Sequence, residues 1–269
     1  MAAAEMIAVT ASRLEFLRAF FCGLTPAAIG CRRFATQRSA TSKLTRRVTN
    51  LSQSELLPTL RPQIMIQRIM TAEEFADQKY DLPDGGRWSE LIAGEPVILE
   101  QPSDAHGNVI RNLSRFLAQW IEEKQVGYAC FELGIIVQRA PDTVISPAVS
   151  YFVTGNRWDE TDKIVTDTKP AVVIDVASTV DRRRNMPGRI AHYRKLGIPV
   201  AIVIDPMELK IAVHTGTDQV DVLDRDEVLT PKNDWIDDTS KNPLLAGLSI
   251  GVSDIFEQPD WWQWASRPE

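Results

Sequence analysis

Cysteine is scarce in this chain of 269 residues. The three thiols, Cys22, Cys31 and Cys130, are too few and too odd in number for a disulfide framework. No Cys-x-x-Cys or His-rich spacing suggests zinc. The compartment is therefore read as reducing, and the localisation as cytoplasmic. Long apolar runs are missing too. The longest apolar piece near the start, Leu14 to Leu24, is interrupted by Glu15 and Arg18, which excludes a spanning segment and a clean signal-peptide core, so no membrane partner is expected. There is no internal repeat, no long low-complexity tract and no heptad pattern. A broad basic surface is also lacking. The net charge is -6, and residues 1 to 64 hold nine Lys/Arg against three Asp/Glu, leaving 21 against 33 for the rest. A body this acidic argues against non-specific affinity for a phosphate backbone.

What is present has a centre at Lys169 to Pro206. The run Ala171 to Ala177 is apolar apart from Asp175, and Val200 to Ile204 is apolar throughout. Short β-branched runs of this kind are the pattern of strands covered on both faces. Between them Ile190, Tyr193 and Leu196 recur at helical spacing before Gly197 and Pro199 stop the helix. Two buried strands joined through one helix predict a parallel pair. Asp175 breaks the pattern, because a buried carboxylate without a partner costs several kcal/mol. It requires a cationic partner, a metal or a raised pKa.

In chain order, residues 1 to 64 are rich in Ala, Ser, Thr and Arg and do not read as core. The composition suits a disordered extension, sequence upstream of the true start, or an organelle transit peptide. Met65 and Met70 both stand where a start would fit, since Thr71 to Glu74 is a capping box. Ala93-Gly94 between the apolar runs Trp88 to Ile92 and Pro96 to Leu99 predicts a hairpin. Ser103 or Asp104 then caps a helix along which Val109, Ile110, Leu113, Phe116, Leu117, Trp120 and Ile121 keep a 3-4 spacing. Strands are expected at Glu132 to Arg139 and Thr143 to Val153. Further strands at Lys210 to His214, Gln219 to Leu223 and Leu248 to Val252 would form the far edge of the sheet. Asp181-Arg182-Arg183-Arg184 reads as a charged loop that is solvated or meets phosphate. The tail, residues 257 to 269, carries Trp261, Trp262 and Trp264, which are expected to pack on the domain.

The order hairpin, long helix, strands, then a carboxylate-bearing strand and a basic helix resembles the Uma2 family of restriction endonucleases, a branch of the PD-(D/E)xK nuclease superfamily. The resemblance rests on Met70-Thr-Ala-Glu-Glu-Phe75, Glu90 to Glu95, Ser103 to His106, Asp142 to Pro147, Val172 to Val176, Asp181 to Arg184, Tyr193, Gly197-Ile-Pro199 and Asp205-Pro206. It covers residues 65 to about 256, read as one domain. It implies an α/β, restriction-endonuclease-like fold: a central mixed sheet flanked by helices, with a β-hairpin at the start. It also implies a metal-dependent DNA endonuclease, of a superfamily in which many members form a homodimer to cut both strands, whose carboxylates hold Mg²⁺ or Mn²⁺ while a lysine orients the attacking water.

Carried over residue by residue, the resemblance places Glu90, Asp175, Arg189 and His106 at the catalytic site, with Glu90 and Asp175 as metal ligands. Glu90 and His106 stand as the family has them. Three positions depart. Ala148 replaces an aspartate and removes a ligand outright. Asp175 replaces a glutamate and retracts the carboxylate by roughly 1.5 Å. Arg189 replaces the lysine, and arginine cannot deprotonate in a protein. The departures imply a hydrolysis that is weakened or lost. The alternative is a catalytically inactive nuclease fold that binds DNA or a protein. Asp142 is no substitute for the missing acid, because six strand residues set it about 20 Å away. Arg189 is expected to pair with Asp175 as the relic of a lysine-carboxylate site.

Overall fold

The structure, a computed structural model, describes residues 69–156, 159–216 and 220–259. The extension at 1 to 64 and the three tryptophans of the tail lie outside them. Chain order runs α1 (Ala72–Gln78), β1 (Ser89–Ile92), β2 (Glu95–Ile98), α2 (Asp104–Lys124), β3 (Tyr128–Phe131), β4 (Gly134–Gln138), β5 (Thr143–Ile145), β6 (Val149–Phe152), β7 (Val165–Thr166), β8 (Val172–Val176), α3 (Val180–Leu196), β9 (Val200–Asp205), β10 (Lys210–His214), β11 (Val220–Leu223), β12 (Val228–Leu229), β13 (Ile250–Gly251) and α4 (Val252–Ile255). The strands form a five-stranded sheet in the order β2-β1-β5-β4-β7, a six-stranded sheet in the order β11-β10-β9-β8-β6-β3, and the ribbon β12-β13. Both large sheets are mixed: β4 and β7 run parallel in the first, β8 and β9 in the second. No helix among the described residues is long and apolar enough to cross a membrane.

Local chemistry explains the main elements. Thr71 and Glu74 cap α1 reciprocally through each other's backbone N–H groups. Ala93 and Gly94, with φ of 50° and 81°, supply the two left-handed residues that a tight hairpin turn needs. All five residues of β8 are buried, and it pairs with β9 from Val172↔Val200 to Val176↔Ile204. Thr179 caps α3 by accepting from the Arg182 N–H, and Gly197 at φ 76° ends it.

The core has two principal faces. On one, Val109, Leu113, Leu117 and Trp120 of α2 pack against Val172, Ile174, Val176, Ile202 and Ile204. On the other, Met186, Ile190 and Tyr193 of α3 meet Val173 and Ala177 from the six-stranded sheet and Ile135, Val137 and Ile145 from the five-stranded one. The helix thus lies where the two sheets meet, and the alternation along β8 turns Asp175 toward it.

Several expectations are corrected. The single strand expected at Thr143 to Val153 is two, β5 and β6, in different sheets. The break falls at Ser146-Pro147-Ala148, where proline cannot donate to a ladder. Leu248 to Val252 does not extend the far edge: only Ile250–Gly251 is strand, and it pairs with β12 in the ribbon. Tyr128–Phe131, which the sequence did not announce, edges the six-stranded sheet through β6. Residues 181 to 184 open α3 rather than a loop, and only part of the run is solvated: Arg182 is buried, Arg183 bonds Asp205 at 2.6 Å, and exposed Arg184 pairs with Asp181.

Candidate functional site

Glu90 enters from β1, where Ser89, Glu90 and Leu91 are all buried. Asp175 enters from β8 and is 1% exposed. Neither charge could remain there unpaired. Their partner is Arg189, itself buried, from the middle of α3. Its Nη1 donates to both oxygens of Glu90 at 2.8 and 2.7 Å, its Nε donates to Asp175 Oδ2 at 2.6 Å, and its Nη2 donates to the Ser146 carbonyl at 3.2 Å. One planar guanidinium therefore grips two carboxylates and the backbone at the break between β5 and β6. This is the fork geometry that arginine has and lysine lacks.

The remaining oxygens are nearly all engaged. Ser146 N–H donates to Glu90 Oε1 at 2.8 Å, and the Tyr193 hydroxyl donates to Asp175 Oδ2 at 2.8 Å. Asp175 Oδ1 accepts no hydrogen bond, but Arg182 Nη1 lies 3.6 Å from it. Two carboxylates thus face two guanidiniums in a buried, charge-balanced cluster.

The titration follows the geometry. Burial pushes the Asp175 carboxyl up, but Arg189 and Arg182, with hydrogen bonds from Arg189 and Tyr193, outweigh it and hold the carboxyl below its usual range. Burial alone would lower Arg189, yet Asp175 and Glu90 raise it well above an ordinary arginine. Burial raises the Tyr193 phenol well above its usual value; Arg189 opposes this, and Asp175 adds to it.

His106, in the first turn of α2, stands beside this cluster rather than in it. Its Nδ1 is 3.1 Å from Ser178 Oγ, its ring meets Trp88 edge-on at 5.8 Å, and its Nε2 is buried without a hydrogen-bond partner. Burial, then Arg182, pulls its pKa down to about 4 against a partial counter-pull from Asp175, so the ring is neutral near pH 7. Asp142 serves structure: its Oδ2 accepts from the Ala72 N–H at 2.8 Å and from Arg139 at 2.9 Å.

The sequence-predicted residues are therefore sorted by the fold. Glu90, Asp175 and Arg189 come together, and His106 falls alongside. Arg182, Tyr193 and Ser146 belong to the cluster and were not expected there. A signal for two of them existed, since residues 182 and 193 share one helical face with Arg189, the partner expected for Asp175.

A divalent cation does not fit this donor set. Mg²⁺ requires near-octahedral oxygen coordination, whereas both Glu90 oxygens and Asp175 Oδ2 are already held by Arg189. Ala148 adds nothing: one step beyond the Val149↔Ile174 pairing it comes level with Asp175, buried, with only a methyl group to offer. Among the described residues no group of three or more His, Cys, Asp or Glu side chains could hold a metal ion.

The family model named Uma2, described as "Putative restriction endonuclease", matches residues 72–236. Among solved structures the chain is similar to a putative nuclease belonging to DUF820 from Anabaena variabilis, with a TM-score of 0.53 and 19% identity over 67% of this chain and 96% of that one. At that identity the likeness speaks for the fold. No curated protein matches.

Proposed function

The chain belongs to the Uma2 family of putative restriction endonucleases, and we propose that it is a nuclease-fold protein in which phosphodiester hydrolysis has been lost, leaving a module that binds. DNA is the partner class its family points to. In a metal-dependent nuclease the cation lowers the pKa of a bound water and offsets charge on the phosphoryl oxygens. The residues here cannot take over that work. Arg189 stays protonated and cannot serve as a base, and its donors are spent on Glu90, Asp175 and Ser146. Both Glu90 oxygens and Asp175 Oδ2 are already engaged, and Arg182 stands over Asp175 Oδ1. His106 is neutral and could accept a proton, but it bonds Ser178 rather than either carboxylate. The observation that carries the reading is the single guanidinium holding both carboxylates.

The test is nicking of supercoiled plasmid by the full chain with Mg²⁺, Mn²⁺ or EDTA, beside a variant carrying Ala148→Asp, Asp175→Glu and Arg189→Lys. Cutting by the variant alone is the expected result. Metal-dependent nicking by the native protein that Asp175→Ala abolishes would overturn the loss of hydrolysis. Retardation of duplex DNA in EDTA, weakening steeply with salt, is the expected sign of the binding role; migration unchanged at low salt would remove DNA as the partner.

A further inference from the structure

The mismatch between this donor set and a divalent ion supports a deeper reading, which rests on the loss of hydrolysis proposed above. We propose that Arg189 is a built-in cation that keeps divalent ions out of this site, and that removing its guanidinium turns Glu90 and Asp175 into a site that takes one.

The cluster is already balanced in charge. Glu90 and Asp175 are matched by Arg189 and Arg182, all four buried. An added divalent ion would leave four positive charges against two negative ones, where like charges are poorly screened. The acceptors are occupied as well. Glu90 Oε1 accepts from Arg189 and Ser146, Glu90 Oε2 from Arg189, and Asp175 Oδ2 from Arg189 and Tyr193. Asp175 Oδ1 is the one carboxylate oxygen of the pair without a hydrogen bond, and Arg182 stands over it.

Deletion of the guanidinium removes one positive charge and frees the acceptors it held. Two carboxylates and the Ser146 carbonyl lose their shared donor at once. These are hard oxygen groups of the kind Mg²⁺ and Mn²⁺ prefer. Arg189→Met keeps an unbranched apolar stem and removes the charge. The exposed demand is then for a compact cation, and one is available from solution.

The experiment compares native full-length protein with Arg189→Met in thermal unfolding and in direct Mn²⁺ titration, each against EDTA. Native protein is expected to bind no Mn²⁺ at this site and to keep its Tm. Arg189→Met is expected to melt lower in EDTA and to gain roughly 5–10 °C at Mn²⁺ a hundredfold above its dissociation constant. That gain should disappear when Asp175→Asn is added. Arg189→Lys, which keeps a charge without the fork, guards against a variant that does not fold and should show a smaller gain. Mn²⁺ binding by native protein that Asp175→Asn abolishes would overturn the proposal, as would Mn²⁺ gains absent from both Arg189 variants. Binding without nicking would sink this inference alone, whereas native nicking would sink the proposed loss of hydrolysis with it.

Discussion

Arg189 Nη1 lies 2.8 and 2.7 Å from the two oxygens of Glu90, although 99 residues separate the pair in sequence. With Nε on Asp175, that contact ties a strand of each sheet to one helix. Buried charges of this kind contribute little when intact, but they are costly to orphan.

Arg189→Ala should therefore destabilise the protein by about 3–5 kcal/mol at pH 7, because two carboxylates lose their counter-charge together. Urea unfolding measures it. The deficit should shrink in acid, where the bared carboxyls take up protons and no longer need a partner. A deficit that does not change with pH would mean that lost packing, not charge, dominates.

Tyr193→Phe removes the hydroxyl that donates to Asp175 at 2.8 Å. The cost expected from denaturant unfolding is about 1–3 kcal/mol, the scale for a bond to a buried charged acceptor. Asp175 keeps Arg189 and Arg182, so the fold and far-ultraviolet spectrum should not change.

Acid should weaken the protein in two stages. His106 titrates at about 4 in the fold and near 6.5 when unfolded. The unfolded chain thus binds its proton first, and stability falls between pH 6.5 and 4, by roughly 3 kcal/mol from this group. Asp175 is lowered in the fold, so its contribution is present above its unfolded pKa and is lost only in more acid solution. His106→Phe should shrink the first stage to the share left by His192 and His214, which burial also lowers, and leave the second, as measured by unfolding free energy from pH 4 to 8.

Ala148→Asp alone should destabilise by about 3 kcal/mol, since it buries a carboxylate level with Asp175 while both guanidiniums are already committed. Combined with Arg189→Lys and Asp175→Glu it should cost less, and a denaturation cycle across these variants gives the coupling.

Much of the fold was legible because local signals agreed. Ala93-Gly94 fixed the hairpin, and the 3-4 spacing from Val109 to Ile121 fixed α2. Asp175 stood out because a carboxylate among buried β-branched residues has to be neutralised, and its pairing with Arg189 followed. Glu90 as the other half of Arg189's grip was not legible, since no local pattern links β1 to the middle of α3. Arg182 was hidden by its neighbours: a run of three arginines reads as a solvated surface, and only the helical phase shows that one of them turns inward. The break at Pro147 could have been read from proline's missing donor, but the apolar residues on both sides masked it.

The division of residues 143 to 152 between two sheets bears on how the chain reaches this state. Ser146 at that break touches Glu90 across 56 positions of sequence and Arg189 across 43, so the cluster closes only after both sheets and α3 have found their places. Closing contacts of such wide separation early would cost chain entropy before other contacts repay it, so they are expected to form late. Weakening them should hasten unfolding far more than it slows refolding, making the cluster a latch on the lifetime of the assembled protein rather than a nucleus for its assembly.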